Sequence, residues 1–199
     1  MNSKTKKETD GPIALFKQWL KEAGLAELNN PNACALATAD KLARPSVRMV
    51  LLKNVNERGF VFYTNSQSQK GIELSENPWA SLCFHWKSLG KEVRINGSVI
   101  PVSEDESDLY FASRTRDSQI GAWASKQSRD LKSRNELEKR VEKFTKKFKL
   151  GKVPRPSFWG GYLVIHEKVE FWSEADFRLH DRLVYTRSEG GWFTKKLYP

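Results

Sequence analysis

Cysteine is scarce in this chain. Cys34 and Cys83 are the only two, each in an apolar run (ACALAT and ASLCFHW) and neither in a CxxC pair. A disulfide framework is therefore excluded, and two buried free thiols in a reducing, cytoplasmic setting are expected. Histidine is nearly as rare. His85, His166 and His180 have no metal-ligand spacing among themselves or with the cysteines, which argues against zinc catalysis and against any bound metal. No stretch approaches the roughly 18 apolar residues of a membrane span, and no apolar segment follows the charged start MNSKTKKETDG, so neither a membrane protein nor an exported one is expected. No GxGxxG follows a strand, and neither GxxxxGK[ST] nor GxSxG occurs, so the common dinucleotide, P-loop and serine-hydrolase sites are missing. Acid is in deficit: 24 Asp and Glu face 34 Lys and Arg, a formal net charge of +10. That excess favours a phosphate-bearing partner, without choosing between nucleic acid, anionic membrane and a phosphorylated small molecule.

What is present is a globular pattern. Hydrophobic residues make up 39% of 199, enough for one domain with a substantial core. Residues 1–11 read as a disordered lead, and 12–199 as a single domain. PIALFKQWLKEAG has helical spacing, with Ile13, Phe16, Trp19 and Leu20 on one face, Pro12 at the start and Gly24 at the stop. From Ala33 to Val102 five short apolar runs alternate with turn chemistry: ACALATA, SVRMVLLK, GFVFYTN, WASLCFHW and EVRINGSVIPV. They read as antiparallel strands of a barrel or sandwich, with a short helix near Lys70 to Ser75. EDESDLYFASR reads as a helix with an acidic first turn. A longer helix is expected from Asp130 to Leu150, where Leu137, Val141, Phe144 and Phe148 form one stripe. The last third returns to strands in GYLVIHEKVEFWSE, RLVYTRS and GWFTKKLYP. The fold class is mainly β with flanking helices.

Four segments carry chemistry. In SVRMVLLK, Arg48 and Lys53 fall on opposite faces of an extended strand, so both reach one ligand only if the strand bends or ends there. FVFYTNSQSQKG brings hydroxyls and Lys70 to the start of a helix, the parts of a phosphate cradle. RTRDSQIGAWASKQS surrounds a small apolar island with arginine, serine and glutamine, groups suited to phosphate oxygens; the competing reading is a helix-capping loop with incidental charge. FRLHDRLVY places Arg178, His180 and Arg182 two apart, so an extended chain would aim all three to one side. The alternative there is a surface strand with Asp181 pairing one arginine. The cation-rich stretch from Lys126 to Lys152 carries eleven Lys and Arg against four Asp and Glu. No aromatic interleaves its polar face, so it reads as a solvated helix face and not as a nucleic-acid surface.

R-x-V-L-L-K, F-Y-T-N, R-x-R-D-S-Q-I-G-A-W-x-S-K-Q-S, S-F-W-G-G, E-F-W and R-L-H-D-R occur in this order. In this the chain resembles the pyridoxamine/pyridoxine 5'-phosphate oxidase family from about Ala14 to Pro199. The resemblance implies a split β-barrel FMN-binding fold and a homodimer with FMN at the subunit interface. It implies oxidation of the 4' amine or alcohol of a phosphorylated pyridine by O2, giving pyridoxal 5'-phosphate and hydrogen peroxide. By the same resemblance Arg48, Met49, Val50, Leu51, Leu52, Lys53, Tyr63, Thr64, Lys70, Gln127, Ser128, Trp172 and Arg182 would line FMN. Lys53, Tyr110, Arg114 and Ser118 would hold the substrate phosphate. Arg178 and His180, with Leu179 between them, would clamp the pyridine and carry the catalytic positions. Gln69 and Glu92 stand where the family often has Arg and Gln. Two other readings fit the same residues: a related flavin oxidase of the phenazine-pathway type, and a non-catalytic flavin or nucleic-acid binding module.

Overall fold

The computed structural model describes residues 6–8 and 11–199. Its centre is one antiparallel sheet of ten strands that curls upon itself. β1 (Lys6–Glu8) precedes helix α1 (Ile13–Ala26). Next come β2 (Ala33–Ala39), β3 (Pro45–Leu51), β4 (Asn54–Asn56) and β5 (Gly59–Asn65). After helix α2 (Gln69–Glu76) lie β6 (Trp79–Trp86) and β7 (Lys91–Pro101). Helices α3 (Glu104–Ser113), α4 (Arg116–Ala124) and α5 (Arg134–Lys147) follow in a row, then β8 (Trp159–Ser173), β9 (Asp181–Ser188) and β10 (Gly191–Lys196).

The strand order is β1-β10-β9-β8-β7-β6-β2-β3, with β5 joined to β8 and β4 to β5. The fifteen-residue β8 makes this branching possible. Along one edge residues 162–173 pair with β7; on the other, residues 159–164 pair with β5 and residues 168–173 with β9. The register of β7 on β8 shifts between Asn96 and Gly97. Only glycine fits there, because an added Cβ would lie 1.9 Å from the Ile165 carbonyl oxygen.

Period-two alternation buries one face of β2, β6 and β7, the interior of the curl. α1 closes it. Phe16 is fully buried and meets Phe60 edge-on at 4.8 Å and Phe84 at 5.0 Å. A second, smaller core lies under the helices, made of Phe111, Ile120, Phe148, Val153 and Trp159. The candidate site lies where these two cores meet.

Several expectations need correction. Most of the residue 1–11 lead lies outside the described residues, but Lys6–Glu8 is a strand paired with β10. The turn chemistry expected between SVRMVLLK and GFVFYTN contains β4. α1 runs through Gly24 to Ala26, and α5 is shorter at both ends than the expected Asp130 to Leu150. α4 stands where a capping loop was the competing reading. It has no apolar stripe to advertise it. Instead it is held from outside: Arg140 Nε of α5 donates to the Ala124 carbonyl at 2.6 Å, and Arg116 at the start of α4 donates to the Phe148 and Gly151 carbonyls beyond the end of α5. Each helix thus has its exposed C-terminal carbonyls capped by an arginine of the other.

Candidate active site

A cleft of about 490 Å³ opens between β3, the end of β5 and the loops joining α3, α4 and β8. Met49, Val50, Leu51 and Lys53 form one wall. Tyr63, Thr64 and Asn65 come from β5, Lys70 from α2, Tyr110 from α3, Arg114, Thr115 and Ser118 from the α3–α4 corner, Gln127 from beyond α4 and Trp159 from β8. Three of these side chains are cations and none is a carboxylate. The local field is therefore positive, and an anionic ligand is the natural complement.

The floor is aromatic. Tyr63 and Tyr110 stack at 3.9 Å between centroids, and Trp159 lies nearly parallel to both. Gly161 allows this, since a Cβ there would sit 2.7 Å from the Tyr63 ring. Burial pushes the Tyr63 hydroxyl above its usual range. Arg114 lies over the Trp159 ring at 4.7 Å. Its Nη1 is buried with no hydrogen-bond partner. Burial also lowers its pKa, so the cation is held in a place that disfavours its charge. A buried unpartnered donor of this kind costs about 1–3 kcal/mol, and a bound anion would remove that cost. Lys70 is in a similar condition. It is 6% exposed, and its Nζ reaches only the Ser68 hydroxyl, at 3.5 Å. Burial and the nearby Arg48 charge lower its pKa, against the opposing pull of Glu73. Ser68 caps α2 by accepting from the Gly71 amide, which sets Lys70 at the helix start. Thr64 Oγ1 donates to Gln127 Oε1 at 3.3 Å, and Thr115 Oγ1 to Ser118 Oγ at 2.9 Å, so hydroxyls and amides flank both cations.

Of the residues singled out from sequence, Met49, Val50, Leu51, Lys53, Tyr63, Thr64, Lys70, Tyr110, Arg114, Ser118 and Gln127 meet in this cleft. β3 ends at Leu51, which resolves the opposed faces of Arg48 and Lys53: Lys53 turns into the cleft while Arg48 stays behind the strand. Arg48 donates to Thr38, Ser46 and the Leu36 carbonyl and pairs with Glu73 at 3.2 Å. Leu52 points into the core. Ser128 lines a neighbouring hollow beside Arg129 and Arg140, and takes a left-handed backbone at φ 67°. Asn65, Thr115 and Trp159 line the cleft without having been singled out. Asn65 and Trp159 lay within the quoted F-Y-T-N and S-F-W-G-G; Thr115 carried no signal, because only folding brings it to the cavity.

The R-L-H-D-R residues lie elsewhere. Trp172, Arg178 and His180 line a second, wider cleft with Lys87, Gly90 and Glu174, sharing no residue with the first. The expected straight row does not form. Asp176–Arg178 is a single 3-10 turn with Phe177 at φ 57° and Arg178 at φ 63°, so the chain is not extended there. His180 accepts from the Ala175 amide at 3.2 Å through Nδ1 and lies 4.6 Å from the Trp172 ring. Leu179 is exposed. Arg182, already in β9, turns to Glu170 at 2.7 Å, and Asp181 pairs with Lys196 and not with an arginine. Glu92 pairs with Arg94 at 3.0 Å. Among the described residues no cluster of three or more His, Cys, Asp or Glu could hold a metal, and no helix is long and apolar enough to cross a membrane.

The family model for pyridoxamine 5'-phosphate oxidase matches residues 20–148, and the model for the pyridoxine 5'-phosphate oxidase C-terminal dimerisation region matches residues 159–199. The chain belongs to the pyridoxamine 5'-phosphate oxidase family. The pyridoxine/pyridoxamine 5'-phosphate oxidase of Rhodospirillum rubrum is 58% identical over 198 residues, covering 96% of this chain and 98% of that one. The enzyme of the same name from Caulobacter vibrioides is 57% identical over 190 residues, covering 96% and 86%. Among solved structures, PhzG from Burkholderia lata 383, in complex with tetrahydrophenazine-1-carboxylic acid, superposes with a TM-score of 0.90. It is 35% identical over 96% of this chain and 94% of that one. The split-barrel architecture of this family is the fold described above: mainly β, with five helices flanking the curled sheet.

Proposed function

We propose that this chain is an FMN-dependent oxidase that converts pyridoxamine 5'-phosphate and pyridoxine 5'-phosphate to pyridoxal 5'-phosphate, with O2 reduced to hydrogen peroxide. The observation that carries the reading is the cleft with three cations and no carboxylate, in which Arg114 keeps a buried, unpartnered Nη1. The donor set fits FMN and a second phosphate. Lys70, Thr64 and Gln127, with the Met49–Leu51 wall, would hold the cofactor; Lys53, Tyr110, Arg114 and Ser118 would hold the substrate phosphate. Bound FMN supplies the two-electron acceptor that a protein side chain cannot. The chain's own residues would then bind, orient and exclude water.

Trp172, Arg178, Leu179, His180 and Arg182 do not reach this cleft within one chain. They complete the reading if a second copy supplies them, with FMN at the interface of a homodimer. The match of residues 159–199 to a dimerisation region supports that arrangement. Both cysteines are free, with burial raising Cys34 to about 12 and Cys83 to about 11, a pair suited to the reducing cytoplasm. No partner of nucleic acid or membrane is invoked.

The phenazine-type alternative has one observation in its favour, the PhzG superposition. The higher identity to the pyridoxine/pyridoxamine 5'-phosphate oxidases weighs against it. The test is direct. The protein reconstituted with FMN should be yellow and should release peroxide when pyridoxamine 5'-phosphate is added. Flavin binding without peroxide would move the activity to another substrate. No flavin binding at all would leave neither oxidase reading standing.

A further inference from the structure

Behind the Lys70 end of the cleft lies a polar cluster, buried at Thr38 and Glu73 and half-buried at Ser46 and Arg48, that shares no lining residue with the cleft. At its centre is Glu73 of α2, 6% exposed. Its carboxylate accepts from the Thr38 hydroxyl on β2, and both of its oxygens accept from Ser46 Oγ on β3, Oε1 at 2.8 Å and Oε2 at 2.7 Å. It accepts from Gln69 Nε2 at 2.9 Å, and from Arg48 Nη2 at 3.2 Å. Arg48 in turn donates to Thr38 and Ser46, so the five side chains form a closed network across two strands and a helix. Burial pushes the Glu73 carboxyl upward, but the three neutral donors and Arg48 outweigh it and hold it ionised.

Resting on the oxidase reading, we infer that Glu73 is a positioning residue for the cofactor's phosphate: it fixes the half-buried Arg48 behind β3 and, three residues along α2 from the buried Lys70, supplies the negative charge that offsets both cations. Lys70 feels both. Around it stand Arg48 from β3 and Glu73 from its own helix, and the same cleft holds Lys53, Arg114, Tyr63 and Tyr110. Arg48 disfavours a charged Lys70 and Glu73 favours it. Removing the carboxylate leaves the repulsion unopposed, so Lys70 loses its proton at lower pH. While Lys70 is still protonated, the same change makes the cleft more positive. The two effects act on opposite sides of one titration, and a merely structural glutamate would not produce that pattern.

The experiment compares wild type with Glu73→Gln, which keeps the shape and removes the charge, and with Ser46→Ala, which breaks part of the network and keeps the charge. FMN is titrated into each apoprotein by fluorescence quenching from about pH 6 to about pH 9. Riboflavin, which lacks the phosphate, serves as a parallel probe. The ratio of Kd values, Glu73→Gln over wild type, cancels the flavin's own titration. For FMN it should be at or below one at the acid end and rise with pH, by up to about tenfold for each unit that the Lys70 pKa falls. For riboflavin, and for Ser46→Ala with either flavin, the ratio should stay flat with pH. An FMN ratio that is flat, or a riboflavin ratio that rises equally, would overturn the inference. If Glu73→Gln does not fold, Glu73→Asp, which draws the carboxylate back by one methylene, should show the same rise at smaller size, and a flat ratio there overturns it as well. A wild-type protein that binds neither flavin overturns the oxidase reading, and this inference with it.

Discussion

Arg114→Met separates binding from stability more sharply than any other change in the cleft. Among the described residues Arg114 makes no ion pair, and its Nη1 is buried without an acceptor. Its compensation is stacking over Trp159 at 4.7 Å and Phe111 at 5.6 Å. An unsatisfied buried donor costs about 1–3 kcal/mol, and each cation–π contact returns about 0.5–2 kcal/mol. The two nearly cancel, and methionine keeps most of the apolar contact. The apoprotein's stability should therefore change by no more than about 1 kcal/mol, or about 2–4 °C in Tm for a chain of this size. Substrate binding should not be spared. Truncating the charge partner of a desolvated anion costs about 2–5 kcal/mol, roughly 30-fold to several thousand-fold in affinity. Thermal melts of the apoprotein, FMN titration and flavin bleaching by pyridoxamine 5'-phosphate measure the three quantities separately. The expected result is an unchanged melt, FMN affinity within about threefold of wild type, and a large loss for substrate. Equal losses for FMN and substrate would mean that the two phosphate positions are misassigned. A melt lowered by much more than about 4 °C would mean that Arg114 is a structural cation after all.

Three further outcomes are expected. The FMN-loaded protein should sediment at twice the 22.9 kDa chain mass, and a solely monomeric species would refute the shared site. His166 is buried against Trp192 and Phe60 with Nδ1 unpartnered. Burial, and then the charge of Arg187, lower its pKa from 6.5 to about 4. The unfolded chain therefore takes up this proton first as pH falls, so the contribution is complete above about pH 6.5 and is lost toward about pH 4, up to about 3 kcal/mol. His166→Phe should flatten the acid limb of a Tm–pH curve, and parallel limbs would refute the assignment. Replacing Lys139, Lys143 and Lys146 by glutamine should leave oxidase activity within a few-fold, because none of them lines the cleft; a loss of activity in a folded protein would show a role for this face.

Much of this molecule is legible in its sequence, and for a local reason. Alternation in ACALATA, WASLCFHW and EVRINGSVI reports which face of each strand is buried, and the spacing of Ile13 and Phe16 reports the helix that closes the barrel. Donor chemistry is local too, so arginine, lysine and hydroxyl residues in R-x-R-D-S-Q and around Lys70 mark a candidate anion site before any folding is known. α4 was not legible in this way, because its support comes from Arg140 and Arg116, partners that only packing against α5 brings into reach. Strand parity set Arg48 and Lys53 on opposite faces, but only the end of β3 at Leu51 decided that Lys53 enters the cleft while Arg48 is held behind it by Glu73. The even spacing of Arg178, His180 and Arg182 implied one row. Left-handed backbone at Phe177 and Arg178 breaks it, because a two-residue period holds only while the chain stays extended.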